Sequence, residues 1–389
     1  WHWKAAQASL PFTISAASFS LMMIFAGRWQ DKIGPRYVAM LGGIILGLGL
    51  IASSFAKTPG MMLITFGLVG GIGIGLGYSA TTPPSIKWFP PGRKGLITGI
   101  VVSGVGLAAV YIAPLTQYLL KATSISTTFL ILGVGTLVLV SLLSQFLSNP
   151  PASYTPAASV APGAVAAKAP PVRPNLDWHE MLRTGQFYQL WLMFVLAASA
   201  GLMVISQVAL IARDQANIDK WGFAPVATLA LFNTLGRVVS GFLSDRIGRT
   251  NTMTLAFALQ AVNMFTFIHY TTPALLIFGS AFTGLCYGTI FTLFPATTAD
   301  YYGVKNLGVN YGLVFTGFGV AGVIGPMLGG KIRDAFGSYH HAFTISAIML
   351  LVGAVLALIL KSPKTESAPL SANPLGGQRS VGKAEAIRK

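Results

Sequence analysis

Arg237 is the single ionisable side chain in the run 222–242, a membrane-length stretch built mostly of Ala, Val, Leu, Phe, Gly, Thr and Ser. Asn233 precedes it by four residues and shares its helical face. Asp245, eight residues on, marks where the run meets water, so the guanidinium sits about 12 Å inside, near the bilayer middle. A charge at that depth costs about 2.5–3.5 kcal/mol on insertion scales. A guanidinium has no acceptor and does not deprotonate, so it must meet a wet cavity or an anion. Its planar fork fits two oxygens at once, which makes a ligand carboxylate one partner and a buried Asp or Glu of another helix the alternative. No other predicted span carries a clearly internal acid.

The elements that hold such a residue follow from composition. The 389 residues are 53% hydrophobic and 9% charged, with mean hydropathy +0.66, against about 25% charged in a soluble domain. Long uncharged runs predict an all-α membrane protein rather than an outer-membrane barrel. The net charge of +16 is scattered over short loops and the tail, the pattern of a positive-inside bias and not a nucleic-acid footprint. Cys286 is the one cysteine, so a disulfide framework is excluded.

Eleven spans are predicted: 5–26, 38–55, 61–82, 96–120, 127–146, 187–211, 222–242, 252–270, 274–298, 307–330 and 341–360. The third is dense in glycine, from Gly67 to Gly77, which favours close packing in lipid, and is expected to break or kink at Pro83 and Pro84. Residues 149–176 are rich in Pro, Ala and Ser and read as a linker, with a short surface helix at 176–187. The division expected is 1–148, a first transmembrane half; 149–185, a cytoplasmic linker; 186–361, a second half; and 362–389, a disordered cytoplasmic tail.

The halves repeat. Gly27-Arg-Trp-Gln-Asp31-Lys-Ile-Gly34 matches Gly241-Phe-Leu-Ser-Asp245-Arg-Ile-Gly248, and Gly75-Leu-Gly-Tyr78 matches Gly284-Leu-Cys-Tyr287. One span precedes the Asp motif in the second half and none in the first. The repeat therefore predicts two pseudo-symmetric six-helix halves, with the first helix of the N-terminal half absent from this chain. Lys and Arg concentrate on the Asp-motif side, among them Arg28, Lys32, Arg36, Lys87, Arg93 and Lys94, which places the linker and the C-terminus in the cytoplasm of a cell with the protein in its inner membrane.

The duplicated Gly-x-x-x-Asp-Arg/Lys-x-Gly motif with a basic central linker resembles the major facilitator superfamily. Lys87-Trp-Phe-Pro-Pro-Gly-Arg-Lys-Gly95, Glu180-Met-Leu-Arg-Thr184, Leu293-Phe-Pro-Ala-Thr-Thr-Ala-Asp300 and Asn310-Tyr-Gly312 are similar to segments of the oxalate/formate antiporter and monocarboxylate transporter families, nearest to bacterial proton-coupled lactate transporters. The resemblance implies that Arg237 occupies the place of the substrate-binding Arg. The antiporter pattern has a second core cation, a Lys shortly after Asn-Tyr-Gly; here 312–319 carries no base, which favours a monocarboxylate over a dianion. The mammalian carriers place an Asp one turn before the Arg; here it is Asn233, so the proton-coupling group is open.

Two readings stand beside each other at most sites. Asn233 either binds substrate or bridges helices. Tyr78 and Tyr287, related by the repeat, either offer phenol donors to the substrate at the midplane or pack between helices. Tyr311, Gln207, Gln260 and Asn263 read as structural. Asp31 beside Arg36, and Asp245 beside Arg249, can each cap a neighbouring helix and pair with a cation, and the resemblance implies that this network forms a cytoplasmic gate; the alternative is solvated loop charge. There is no Walker loop, no metal-ligand spacing and no hydrolytic set, so no cofactor is expected. The function predicted is proton-coupled symport of a small monocarboxylate of the lactate or pyruvate type by a monomer. The alternatives are a carboxylate antiporter and a non-transporting metabolite sensor.

Overall fold

A computed structural model describes residues 5–151, 153–154, 175–216 and 223–363. The linker reading falls largely on 155–174 and the tail reading on 364–389, outside the described residues. The described residues are helical throughout, with no strand. We number α1 Ala5–Ile33, α2 Pro35–Ser54, α3 Pro59–Lys87, α4 Lys94–Ala122, α5 Ile125–Leu143, the short α6 Trp178–Leu182, α7 Gly185–Ala216, α8 Phe223–Ile247, α9 Arg249–Phe267, α10 Pro273–Tyr302, α11 Leu307–Phe336 and α12 His340–Ile359.

Each long helix follows an apolar run and several extend beyond it. Ten are long and apolar enough to cross a membrane. The eleventh, α9, falls short because Gln260 and Asn263 lie within it; both are buried and donate to Thr283 Oγ1 of α10, at 3.2 and 3.0 Å. Satisfied in this way, they act as interhelical struts, as their structural reading anticipated. In α3 the expected proline break is mild. The helix pauses at Ala80 and Thr81 and resumes at Thr82, with Pro83 and Pro84 in its first turn, where a missing N–H is harmless. The same helix contains a π-helical segment, Leu63–Gly70, which no sequence signal announced. The predicted surface helix at 176–187 shrinks to α6, closed by a capping box between Asp177 and Glu180.

The repeat is visible in the packing: α1 on α3 and α2 on α5 are answered by α8 on α10 and α9 on α12. Two seams join the halves, α1 against α11 and α4 against α8. In the second half α7 fills the space beside α10, α11 and α12. No described helix fills the equivalent place beside α3, α4 and α5. There α5 buries only Thr128 and Gly133, while its counterpart α12 buries eight residues including Phe343 and Leu350. An apolar cavity of about 570 Å³ opens at this place and reaches inward to Tyr78, Arg237, Phe291 and Phe318.

Glycines let α8 and α10 approach to backbone contact. A Cβ on Gly236, Gly284 or Gly288 would strike the carbonyl of Leu285, Leu229 or Asn233. Gly288→Val is expected to lower the melting temperature in detergent by an amount corresponding to about 1–3 kcal/mol, the usual cost of overpacking; an unchanged melting curve would show that the seam can part freely.

Candidate functional site

Arg237 is 4% exposed and lies where the α4–α8 seam meets the space between the halves. Its Nε donates to Asn233 Oδ1 at 3.1 Å, which sets the two side chains on one face as their spacing required. One terminal nitrogen donates across the seam to the backbone carbonyl of Val102 in α4. Cζ stands 4.7 Å from the ring centroid of Phe291, a cation–π contact. No Asp or Glu among the described residues forms an ion pair with it. Among the described residues the guanidinium has neutral partners only.

Tyr78 and Tyr287 converge on Arg237 from α3 and α10, and Tyr311 joins them from α11; all three phenols lie within electrostatic reach of the guanidinium. The hydroxyls of Tyr78 and Tyr311 lie close to one another, and both are buried. Tyr311 was read as structural from the Asn-Tyr-Gly segment. It is fully buried in the core, in keeping with that reading, and its phenol also lies within electrostatic reach of Arg237. Phe19, Phe315 and Phe318 close the chamber, with Phe19 and Phe315 each 5.5 Å from Tyr78. A single fixed cation, buried phenols and aromatic walls suit a small monoanion with an apolar body.

The two Asp motifs each cross a seam. Asp245 of α8 accepts from the N–H groups of Gly95 and Leu96 at 2.9 and 2.8 Å, capping α4 in the other half. It pairs with Arg249 at 2.6 Å; Arg249 also reaches Asp300 at 3.0 Å, and Asp300 holds Lys94 at 3.0 Å. Asp31 of α1 accepts from the Val309 N–H at 3.1 Å, at the start of α11. Its cation is Lys87, at 3.4 Å, and not Arg36. The correction has a simple cause. In register, Arg249 answers Pro35 and Arg36 answers Thr250. One residue turns a helical side chain by about 100°, so Arg36 faces outward and is exposed. Sequence reasoning also passed over Lys94 and Asp300, which stand inside the segments Lys87–Gly95 and Leu293–Asp300 quoted for their resemblance. Close beside the carboxylates, Gly27 meets the backbone of Gly308 and Gly95 that of Gly241.

Comparison with known proteins agrees with this architecture. The sequence profile of the Major Facilitator Superfamily matches residues 1–262 and 223–388. The chain belongs to the major facilitator superfamily. Among curated superfamily members, it is 28% identical over 355 residues to the oxalate:formate antiporter of Oxalobacter formigenes, covering 89% of this chain and 80% of that one. It is 27% identical over 348 residues to monocarboxylate transporter 13 of Bos taurus, covering 88% and 77%. The crystal structure of the human organic anion transporter MFSD10 superposes with TM-score 0.71 at 14% identity, covering 90% of this chain and 83% of that one, which shows the shared superfamily fold. Family and fold are those of multi-pass membrane transporters, not of enzymes.

Proposed function

We propose that this protein carries a small monocarboxylate, of the lactate or pyruvate type, together with a proton by alternating access, working as a monomer in the cytoplasmic membrane with its C-terminus inside. The observation that carries the reading is a buried guanidinium whose partners are all neutral. In low dielectric such a cation gains most from an incoming anion. The carboxylate lies on Arg237; Asn233, Tyr78, Tyr287 and Tyr311 offer hydrogen bonds to it and to a neighbouring oxygen. Similarity to an oxalate:formate antiporter and to a monocarboxylate transporter supports a carboxylate. Phe315 and Phe318 stand in the stretch where a second base is wanted for a dianion, which supports a single negative charge.

In this reading residues 1–148 and 186–361 are the rocking bodies, 149–185 their link, and the Asp31 and Asp245 networks the cytoplasmic gate. A bare cation resists enclosure, whereas an ion-paired one does not. Occupancy of Arg237 thus lowers the barrier to closing the site and reopening it on the other side. The 28% identity to an antiporter supports a second reading, exchange of one carboxylate for another.

Uptake of labelled L-lactate into proteoliposomes, with and without an inward proton gradient, separates the two. Gradient-stimulated net uptake is expected. Uptake that ignores the gradient and requires a preloaded carboxylate would establish exchange and overturn symport.

A further inference from the structure

Three cations of the first Asp motif are not used by the gate. Along α1, Leu21 and Phe25, each 60% exposed, define a lipid-facing stripe. The same stripe continues through Arg28, Trp29, Lys32 and Ile33, all exposed. Gly34, at φ 89°, and Pro35 turn the chain sharply, and the exposed Arg36 and Tyr37 carry the stripe onto the first turn of α2. Lys32 lies seven residues past Phe25, about 10 Å further along the helix, at the depth where hydrocarbon gives way to headgroups. The one acid among them, Asp31, is turned inward and engaged with Val309 and Lys87. Arg28, Lys32 and Arg36 make no ion pair with a described residue.

The second half supplies an internal control. On α8 the equivalent stripe is exposed as well, through Leu235, Val239, Phe242 and Ile247. In register, however, Arg28 is answered by Phe242, Trp29 by Leu243, Lys32 by Arg246 and Arg36 by Thr250. The lone Arg246 lies over the Phe242 ring at 4.1 Å. The same lipid-facing corner is therefore present in both halves and strongly basic only in the first.

We propose that the α1–α2 corner binds the phosphate headgroup of an anionic phospholipid. Two guanidinium forks and an ammonium lie along one exposed stripe at the depth expected for headgroups, and Arg meets phosphate oxygens in pairs. Trp29 and Tyr37 are amphipathic rings suited to the interface, and Ile33, 57% exposed, offers apolar contact to the upper acyl chain. A soluble phosphate satisfies the cations equally, but the stripe's continuity with Leu21 and Phe25 selects a ligand with a chain. The proposal is independent of what the protein transports.

The test uses the full chain in phosphatidylcholine vesicles doped with brominated phosphatidylglycerol or, at equal mole fraction, brominated phosphatidylcholine. The Trp29 signal is the fluorescence difference between wild type and Trp29→Phe. Phosphatidylglycerol is expected to quench Trp29 more strongly than phosphatidylcholine. The apparent preference should fall about fivefold for each of Arg28→Gln, Lys32→Gln and Arg36→Gln, and vanish in the triple variant, given the usual contribution of a basic residue near an anionic surface. Arg246→Gln should leave it intact. Equal quenching by the two lipids, or a preference that survives in the single variants and the triple, overturns the proposal. Loss of the preference on adding inorganic phosphate at constant ionic strength overturns the lipid assignment in favour of a soluble-phosphate site. The single variants report the same ordering where the triple variant does not assemble.

Discussion

Arg237→Gln abolishes saturable carboxylate uptake while leaving the protein as stable as wild type, or more so. Both halves of that expectation come from the neutral surroundings of the guanidinium. Removing one member of a buried, hydrogen-bonded charge pair costs about 2–5 kcal/mol of binding, so the substrate's affinity should fall by about thirtyfold or more. In the empty protein there is no such pair. The variant leaves Asn233 Oδ1 and the Val102 carbonyl without a charged donor, and relieves a charge of its desolvation. A structural ion pair behaves in the opposite way: losing one partner strands the other and destabilises by about 3–5 kcal/mol. Arg237→Lys keeps the charge without the fork and should retain partial uptake with a raised KM. Uptake and melting temperature, measured on the same preparations, decide. Wild-type uptake in Arg237→Gln sinks the site assignment; a large fall in melting temperature with uptake preserved indicates a structural role.

Asp245→Asn opens the gate end of the α4–α8 seam far more than Asp31→Asn opens the α1–α11 seam. The Asp245 carboxylate uses both oxygens on the first N–H groups of α4 and a third contact on Arg249. An amide offers one acceptor oxygen and turns an N–H₂ toward a helix N-terminus, where it repels. Arg249 and Lys94 are then left to share Asp300 alone. Asp31 makes one backbone bond and one long pair, so less is lost. A loss of about 3 kcal/mol moves a two-state equilibrium by roughly a hundredfold. With Cys286 replaced by Ala, a cysteine at Thr98, buried in α4, reports on the seam through its labelling by a membrane-impermeant maleimide. Labelling should rise steeply in Asp245→Asn. Equal rises in the two Asn variants would falsify the unequal-latch reading.

Much of this was legible because the chain states its plan twice. The repeat aligned Asp31 with Asp245 and Tyr78 with Tyr287, and Arg237 stood out as the single ionisable side chain in an apolar run. Helix capping by the two Asp side chains followed from their place at helix ends. What escaped was directional. Arg36 and Arg249 look equivalent in a motif, yet a one-residue offset separates a buried ion pair from an exposed cation. Nothing in a linear sequence shows that α11 brings the Tyr311 hydroxyl beside that of Tyr78. Lys94 and Asp300 are two hundred residues apart, and their pairing needs the seams already closed. The π-helical segment in α3 has no local signature, since Leu63–Gly70 reads as an ordinary apolar stretch.

Under the proposed function, the bond from Arg237 to Val102 means that an arriving carboxylate replaces a contact as well as gaining one. The main-chain oxygen serves as a resident stand-in, so the net gain is the difference between a charged acceptor and a neutral one. That favours modest affinity and quick departure, properties that suit a carrier whose worth lies in turnover and not in retention. In that reading the arginine of the empty carrier keeps a neutral partner on the opposite wall, so its return costs more than that of the ion-paired site and less than that of a fully bare charge.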